Sequence, residues 1–379
     1  MGGKGSLTVG RVRGIPVRLH FTFLIILPYI AWVIARTTPV LARLAHVDPA
    51  QLVLPPIVLG LLLGLGLFTC VLLHELAHVF VGLRGGAQVQ GITLMIVGGV
   101  SEVSEFPSRP SFEAAMAVAG PLASFVLGFL AYVAYLLFGS GWPDARFALH
   151  YLTYMNVALA IFNLLPAFPM DGGRILRALL TMLTDRVRAT RIAAWVGQGL
   201  AALFLLGGLF SLNWVLILIG ALVVIGARSE LEMVRSSSAL EGLTVEQAML
   251  RFAPTVEATD PVGAVIARME RELRTTYFVL SQGELVGTVS LDDVRRAQGP
   301  LAFARAGELM RRDPPLLAPE QALATAARLL RLSGLPILPV LRDRALLGSV
   351  SLATIAAAVR ARDVAKASAP RQPRHREAT

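Results

Sequence analysis

The sequence contains few charged residues, only one cysteine and almost no lysine. Charged residues make up 16% of the 379 positions, whereas soluble globular domains contain about 25%. The single cysteine, Cys70, excludes an internal disulfide bond. Apolar residues make up 55% of the chain, which excludes an intrinsically disordered protein and a small domain held together by disulfides.

The positive charge of the chain comes almost entirely from arginine, because Lys4 and Lys366 are the only lysines. A net charge of +10 is by itself compatible with nucleic-acid binding. Many arginines, however, border long apolar runs, as Arg11, Arg13 and Arg18 do near the start of the chain. Such placement is typical of charges that flank membrane helices, so we expect a lipid bilayer as partner and no direct binding of nucleic acid. The preference for arginine over lysine is typical of GC-rich bacterial genomes and predicts a bacterial source.

Six apolar runs between residues 17 and 228 are candidate membrane-spanning helices, since roughly 20 apolar residues cross a bilayer. They cover residues 17–36, 56–83, 112–138, 147–165, 191–210 and 213–228. Cations are concentrated before the first run, after the fourth and after the sixth. Those after the fourth are Arg174, Arg177, Arg186, Arg188 and Arg191. The positive-inside rule then places both termini in the cytoplasm and predicts a multi-pass protein of the cell membrane.

The segment between the second and third runs has the pattern of a β-hairpin. Val89, Gly91, Thr93 and Met95 occupy alternate positions between the glycine pairs at 85–86 and 98–99. The segment is too apolar for an exposed loop, and unpaired strand edges are not tolerated in lipid. We therefore expect a membrane-associated hairpin that packs against protein or lines a cavity.

The second run contains a His-Glu-x-x-His motif at residues 74–78, which places three ionisable side chains in a membrane segment. Residues four apart share one face of a helix, so His74 and His78 can bind one zinc ion. Glu75 lies beside that face and can take a proton from a water molecule. Ionisable side chains are costly in lipid and mark function by default, although a buried polar network between helices is the alternative. We expect Cys70 to be a small buried apolar residue and His20 to be an interfacial or hydrogen-bonded histidine, and neither to be a ligand.

The end of the fourth run can supply a third ligand, which a catalytic zinc site usually needs. Asp171 stands in an otherwise apolar setting, and Pro166 and Pro169 break the helix before it, which can aim the carboxylate inward. The alternative is a helix-ending turn with a solvated aspartate. Asn163 can hold a peptide carbonyl or a developing oxyanion, or it can form an interhelical hydrogen bond.

These motifs together resemble those of the site-2 protease family of intramembrane zinc metalloproteases. The resemblance covers about residues 10–228. It rests on His74-Glu75-x-x-His78 and on Asn163-x-x-Pro166-x-x-Pro169-Met170-Asp171-Gly172-Gly173-Arg174, with further likeness at residues 14–20, 98–100 and 120–124. It implies His74, His78 and Asp171 as ligands of one Zn2+ ion. It also implies Glu75 as the general base and Asn163 as a catalytic group that positions the substrate.

After about residue 236 the composition becomes that of a soluble protein, and residues 240–298 and 302–360 form two copies of one pattern. Each copy ends in Gly-x-Val-Ser-Leu, at residues 287–291 and 348–352. The copies resemble a pair of cystathionine-beta-synthase (CBS) domains, which often bind adenine nucleotides. The resemblance implies Ser290 and Asp293 as nucleotide-binding residues in the first copy, whereas Thr354 replaces the expected aspartate in the second. The alternative is a structural or dimerising pair without a ligand.

The sequence thus predicts a multi-span α-helical membrane protein, with about six transmembrane helices and a membrane-associated β-hairpin, joined to a soluble α/β tandem CBS domain. We expect the metalloprotease domain at residues 1–235 and the CBS repeats at 236–300 and 301–360. Residues 361–379 are rich in arginine, proline and alanine and are expected to form a disordered basic tail.

The resemblance implies an intramembrane zinc endopeptidase that acts in regulated intramembrane proteolysis and is regulated by the CBS pair. Its expected partners are single-span membrane substrates, such as an anti-sigma factor or a tethered transcription factor, and a second copy bound through the CBS domains. The alternative is a metal transporter or channel gated by the CBS pair. Glu75 favours the enzyme, because a transport pathway needs polar residues repeated through several spans, and the other spans offer few.

Overall fold

The computed structural model describes residues 5–95, 98–105, 109–138, 141–297 and 304–368. The chain divides into two compact units, Met1–Val234 and Arg235–Thr379. The first unit contains the long apolar helices and a four-stranded sheet, and the second contains the repeated α/β pattern.

Seven α-helices, a short 3-10 helix at Pro49–Gln51 and four strands make up the described part of the first unit. The helices are α1 (Phe21–Leu44), α2 (Pro56–Arg84), α3 (Pro110–Phe138), α4 (Pro143–Asn163), α5 (Asp171–Thr181), α6 (Arg186–Phe210) and α7 (Trp214–Leu240). The strands are β1 (Ser6–Val12), β2 (Ile15–His20), β3 (Gln88–Met95) and β4 (Gly98–Glu105).

Five helices of the described residues, α1, α2, α3, α6 and α7, are long and apolar enough to cross a membrane. The predicted fourth span, 147–165, does form a helix, α4, but α4 is not one of these five. Polar side chains such as Asp144, His150 and Asn156 lower its hydropathy. Phe147 and Tyr151 of α4 are buried against α1 and α2, so this helix belongs to the interior of the bundle.

The boundaries predicted for the first and last spans are wrong. The first was expected to begin at residue 17, but residues 15–20 form β2, and α1 begins at Phe21 with His20 as its N-cap. Long-range pairing of β2 with β1 and β3 overrides the apolar run, a signal that a helix and a buried strand share. The last span was expected to end at residue 228, but α7 continues to Leu240 because no proline or glycine interrupts it there.

The β-hairpin expected between the second and third spans is confirmed by β3 and β4, which pair in antiparallel fashion with Met95 opposite Gly98. The sheet order is β1-β2-β3-β4, so β4 is an outer strand. Ile92 of β3 is buried against Val79 of α2, and Leu94 is buried beside Phe68 of the same helix. The hairpin therefore packs against the helix that carries the histidine motif, as expected.

The second unit repeats one arrangement twice. The first repeat contains α8 (Val245–Ala248), β5 (Thr255–Glu257), α9 (Val262–Glu272), β6 (Thr276–Ser281), β7 (Glu284–Ser290) and α10 (Leu291–Arg296). The second contains α11 (Ala306–Leu309), β8 (Arg311–Arg312), α12 (Leu323–Ser333), β9 (Ile337–Arg342), β10 (Ala345–Ser351) and α13 (Leu352–Ser368). The sheet order is β5-β6-β7-β8 in one sheet and β10-β9 in the other.

Each repeat contributes its first helix to the hydrophobic core of the other. Val245 of α8 is buried with Leu338 and Val350 of the second repeat. Ala306 of α11 is buried with Val279 of the first repeat. Because each core is completed by the other copy, the two repeats form one folding unit.

Part of the expected disordered tail is helical. Residues 361–368 are the last turns of α13, a helix rich in alanine, the residue with the highest helix propensity. Arg362 ties this helix down by donating hydrogen bonds to the carbonyls of Ala239 and Glu241, at 2.8 and 3.0 Å. Residues 369–379 of the expected tail lie outside the described residues.

Candidate metal centre and catalytic site

Three buried side chains meet between α2 and the start of α5. His74 and His78 lie one turn apart on α2, and Asp171 is the first residue of α5. Asp171 Oδ2 lies 3.2 Å from Nε2 of each histidine, and the two Nε2 atoms are 3.1 Å apart. The structure therefore brings together the three residues that the sequence singled out as candidate ligands.

The outer nitrogen of each imidazole has a partner of its own on α3. His74 Nδ1 lies 2.9 Å from the Ser124 hydroxyl, and His78 Nδ1 lies 2.7 Å from the backbone carbonyl of Met116. A carbonyl can only accept, so His78 carries its proton on Nδ1 when neutral, and Nε2 is left with a lone pair. Such outer hydrogen bonds fix the tautomer and the ring orientation of metal-binding histidines.

Gly120 of α3 lies directly beneath the two imidazoles. A β-carbon at this position would be 2.2 Å from His78 Nε2 and 2.6 Å from His74 Nε2. Any other residue would therefore fill the space toward which both nitrogens point. The glycine makes room for a group held between the two histidines.

The geometry and chemistry of the three donors fit zinc. Tetrahedral zinc with bonds of about 2.0–2.1 Å separates neighbouring ligand atoms by roughly 3.3 Å. The three edges of the His74–His78–Asp171 triangle, at 3.1–3.2 Å, are close to that value. Two imidazoles and one carboxylate are also a donor set of catalytic zinc sites, in which the fourth position takes water or substrate.

Glu75 lies beside this cluster and faces the sheet. Its Oε2 accepts a hydrogen bond of 2.6 Å from the Ser101 hydroxyl of β4. Its side chain lies over Gly99 of the same strand, where an added β-carbon would be 2.4 Å from Glu75 Cγ. The carboxylate is thus placed between the histidine helix and the outer strand of the sheet, and it is half-buried.

Asn163 is not part of this cluster in any described contact. It is the last residue of α4, and its side-chain amide donates to the Leu159 carbonyl of the same helix at 3.0 Å. Eight residues later, Asp171 begins α5, so the chain breaks at the two prolines as the sequence predicts.

Two other residues with possible metal-binding atoms, Cys70 and His20, lie outside the described cluster. Cys70 is a free, partly buried thiol outside the described metal cluster. His20 caps α1, where its Nδ1 lies 2.9 Å from the Thr22 hydroxyl.

The sequence did not identify three features of the site: Ser101, Ser124 and the Met116 carbonyl. Ser124 is part of the Gly-Pro-Leu-Ala-Ser stretch, which carried resemblance but no assigned role. Ser101 is the second residue after the glycine pair of the hairpin, with Val100 between them. A backbone carbonyl has no sequence signal at all, so Met116 could only be found from the structure.

The two residues proposed for nucleotide binding, Ser290 and Asp293, do lie together, in a capping box at the start of α10. Asp293 also accepts a hydrogen bond of 2.8 Å from Arg311 Nε of β8, a partner that the sequence did not suggest. Burial alone would raise the pKa of the Asp293 carboxyl, but hydrogen bonds from Ser290 and Arg311 outweigh it and hold that pKa below its usual value. Asp293 is therefore an anion already partnered within the protein.

A bundle of apolar helices that buries two histidines and an aspartate around one point, with a glutamate carboxylate beside them, defines a membrane metalloprotease. Comparison with known proteins identifies the family. Residues 62–148 and 140–207 match the model of peptidase family M50, and residues 245–299 and 306–361 match that of the CBS domain. The chain belongs to peptidase family M50, the site-2 protease family, and is a zinc metalloprotease that carries a pair of CBS domains.

Two known proteins and one solved structure show how far the similarity extends along the chain. A zinc metalloprotease of Methanocaldococcus jannaschii is 30% identical over 300 residues, which cover 78% of this chain and 80% of that protein. Stage IV sporulation protein FB of Bacillus subtilis is 33% identical over 153 residues, which cover 39% of this chain and 51% of that protein. A solved structure of a site-2 protease from Methanocaldococcus jannaschii is 34% identical, covers 59% of this chain and 94% of that chain, and superposes with a TM-score of 0.43.

Replacement of Gly120 by alanine is expected to prevent zinc binding, because the added β-carbon would occupy the space between the two Nε2 atoms. Zinc content of the purified protein, measured by inductively coupled plasma mass spectrometry, should fall from about one ion per chain to near zero. Gly199→Ala on α6 is the control, since its added β-carbon would have no neighbour within 4 Å. Equal zinc content in the two variants would contradict the assignment.

Proposed function

We propose that this chain is an intramembrane endopeptidase that hydrolyses peptide bonds of single-span membrane proteins. In this proposal His74, His78 and Asp171 hold the zinc ion and Glu75 is the general base. The observation that carries the proposal is the buried triangle of His74, His78 and Asp171, placed within apolar helices and flanked by a partly accessible carboxylate.

When bound, zinc supplies Lewis-acid activation of a carbonyl group and lowers the pKa of water. The Glu75 carboxylate accepts the proton of the attacking water and returns it to the leaving amine. Ser101 orients that carboxylate by donating to Oε2, and the partners of the imidazole Nδ1 atoms keep both rings turned toward the site. Asn163 stays a prediction as the group that positions the substrate carbonyl, and it would have to release the Leu159 carbonyl to do so.

The substrate must reach the site in an extended form, because the amides of a helix are hydrogen-bonded and covered. β4 is an outer strand, and outer strands have backbone groups that can pair with another chain. The same strand carries Ser101, the partner of Glu75. A substrate segment added along β4 would therefore pass close to the catalytic carboxylate. Anti-sigma factors and membrane-tethered transcription factors are the substrate classes we propose.

The site lies near one end of the bundle. His78 is six residues from Arg84, the last residue of α2, which corresponds to about 9 Å along the helix axis. We assign this end to the cytoplasmic side of a bacterial cell membrane, with both termini on the same side, on the basis of the arginine distribution. Water would then reach the site over a short path.

For the second unit we propose that the CBS pair regulates cleavage, that it binds an adenine nucleotide at Ser290 and Asp293, and that it supports a homodimer. The capping box between these two residues supports a shared binding site. A nucleotide hydroxyl that uses the Asp293 carboxylate would have to displace Arg311, which makes Arg311 the competing partner.

Replacing Glu75 by glutamine should abolish cleavage while zinc is retained, because the amide cannot accept the proton but is not a ligand. Cleavage of a panel of single-span proteins in proteoliposomes should fall by at least about a thousandfold. Zinc should be lost in His74→Ala, His78→Ala and Asp171→Ala and retained in Cys70→Ala. Residual cleavage by a Glu75→Gln variant at near wild-type rate would refute the general-base role.

Photocrosslinking should place an extended substrate along β4. In a Cys70→Ser background, a cysteine-linked photoprobe at Glu102 should capture a single-span substrate, because Glu102 lies on the outer strand beside Ser101. The matched control is Thr8→Cys on β1, which is the opposite outer strand of the same sheet. Equal capture at the two edges in a cleaving enzyme would contradict the pairing model.

Nucleotide binding is tested by calorimetric titration of AMP and ATP into the full chain. We expect Asp293→Ala to lose binding and Asp292→Ala, its exposed neighbour on the same turn, to retain it. Thermal unfolding of both variants controls for the loss of the helix cap. The CBS proposal is wrong if the wild-type chain binds neither nucleotide, or if the two variants bind alike.

A further inference from the structure

Arg177 is a charged residue that the proposed reaction does not use, yet it is only 1% exposed. It lies on α5, six residues after Asp171, which corresponds to about 9 Å along the same short helix. A buried charge is strongly unfavourable unless it is paired and hydrogen-bonded. The side chains that contact Arg177 therefore show which elements of the protein it connects.

Two carboxylates from two other helices meet this guanidinium. Arg177 Nε donates to Glu113 of α3 at 2.7 Å, and Nη2 is also paired with Glu113. Nη1 is paired with Glu230 of α7. Arg186 at the start of α6 reaches the other oxygen of Glu113 at 3.2 Å. The two arginines and two glutamates have equal and opposite formal charge, so the cluster is neutral as a whole.

Arg177 also contacts the loop on the other side of Asp171. Its guanidinium carbon lies 5.3 Å from the centre of the Phe168 ring, within the range of a cation–π interaction. Phe168 itself is buried against Ala193, Ala194 and Ala227 of α6 and α7. The candidate ligand Asp171 therefore lies between Phe168, which the guanidinium contacts, and Arg177, which carries that guanidinium on the same helix as Asp171.

The cluster reaches the histidine side of the site through α3. Glu113 lies three residues before Met116, whose carbonyl partners His78 Nδ1. One buried ion pair thus connects the turn of α3 that orients His78 with the helix that carries Asp171. Apart from the chain that runs between them, no covalent bond links this turn of α3 to α5.

We propose that Arg177 is a positioning residue for the metal centre. With Glu113 and Glu230 it sets the place of the Asp171 carboxylate relative to the two imidazoles, so zinc affinity depends on this cluster. The inference rests on the proposed role of Asp171 as a ligand. It requires the planar fork of arginine, because the compact ammonium of lysine cannot place two nitrogens on Glu113 and a third on Glu230 at the same time.

The test compares Arg177→Lys and Glu230→Gln with Arg188→Lys, which alters an exposed ion pair with Asp185. Zinc affinity is measured on the full chain in detergent by competition with a chelator, and the visible absorption of cobalt-substituted protein reports ligand geometry. We expect at least about a tenfold loss of zinc affinity and an altered cobalt spectrum in the first two variants, and no change in Arg188→Lys. Glu230→Gln keeps a hydrogen-bond acceptor at a less buried position. Its zinc affinity and cobalt spectrum therefore test the proposal if Arg177→Lys does not fold.

Wild-type zinc affinity and cobalt spectrum in Glu230→Gln and in folded Arg177→Lys would overturn this inference alone, provided that Asp171→Ala loses zinc. Retention of zinc by Asp171→Ala would overturn the proposed ligand set and the inference with it. A fall in melting temperature of the metal-free protein without a change in zinc affinity would mean that Arg177 serves the fold only, and would also overturn it.

Discussion

The metal centre of this protease depends on one constraint: a polar side chain buried among apolar helices must find a partner within the protein. His74 and His78 meet it on both sides of each ring, with Nδ1 bound to α3 and Nε2 turned toward Asp171. Gly120 leaves the space on which the two rings converge. The result is a candidate ligand set whose orientation is fixed by hydrogen bonds within the protein, and preorganisation of this kind lowers the cost of metal binding.

The same constraint explains the parts of the site that lie farther from the three candidate ligands. Glu75 is an ionisable side chain on an apolar helix and needs a hydrogen-bond partner. The hairpin supplies that partner, the hydroxyl of Ser101. Asp171 is carried by a short helix whose next buried charge, Arg177, is neutralised by α3 and α7. Glu75 and Arg177 thus each have a hydrogen-bond or ion-pair partner on a neighbouring element of the protein.

Much of this site could be predicted from the sequence, because its main signals are local. The spacing of His74 and His78 reports a shared helix face, and two prolines before Asp171 report a broken helix. Arg177 was counted among the cations that flank the fourth span, but it is buried and paired, which only the fold reveals. The predicted start of α1 is wrong because the apolar residues Val17 and Leu19 fit a strand that pairs with β3 as well as they would fit a helix. In the second unit, the exchange of α8 and α11 and the contact of Arg311 with Asp293 are likewise products of tertiary pairing.

X-ray absorption spectroscopy at the zinc edge of the purified chain identifies the atoms bound to the metal and so tests the proposed ligand set. We predict a shell of nitrogen and oxygen at about 2.0–2.1 Å with the outer scattering of two imidazoles. The imidazole scattering should drop when His78 is replaced by alanine. A sulfur shell at about 2.3 Å, which would make Cys70 a ligand, or a shell without imidazole, would contradict that ligand set.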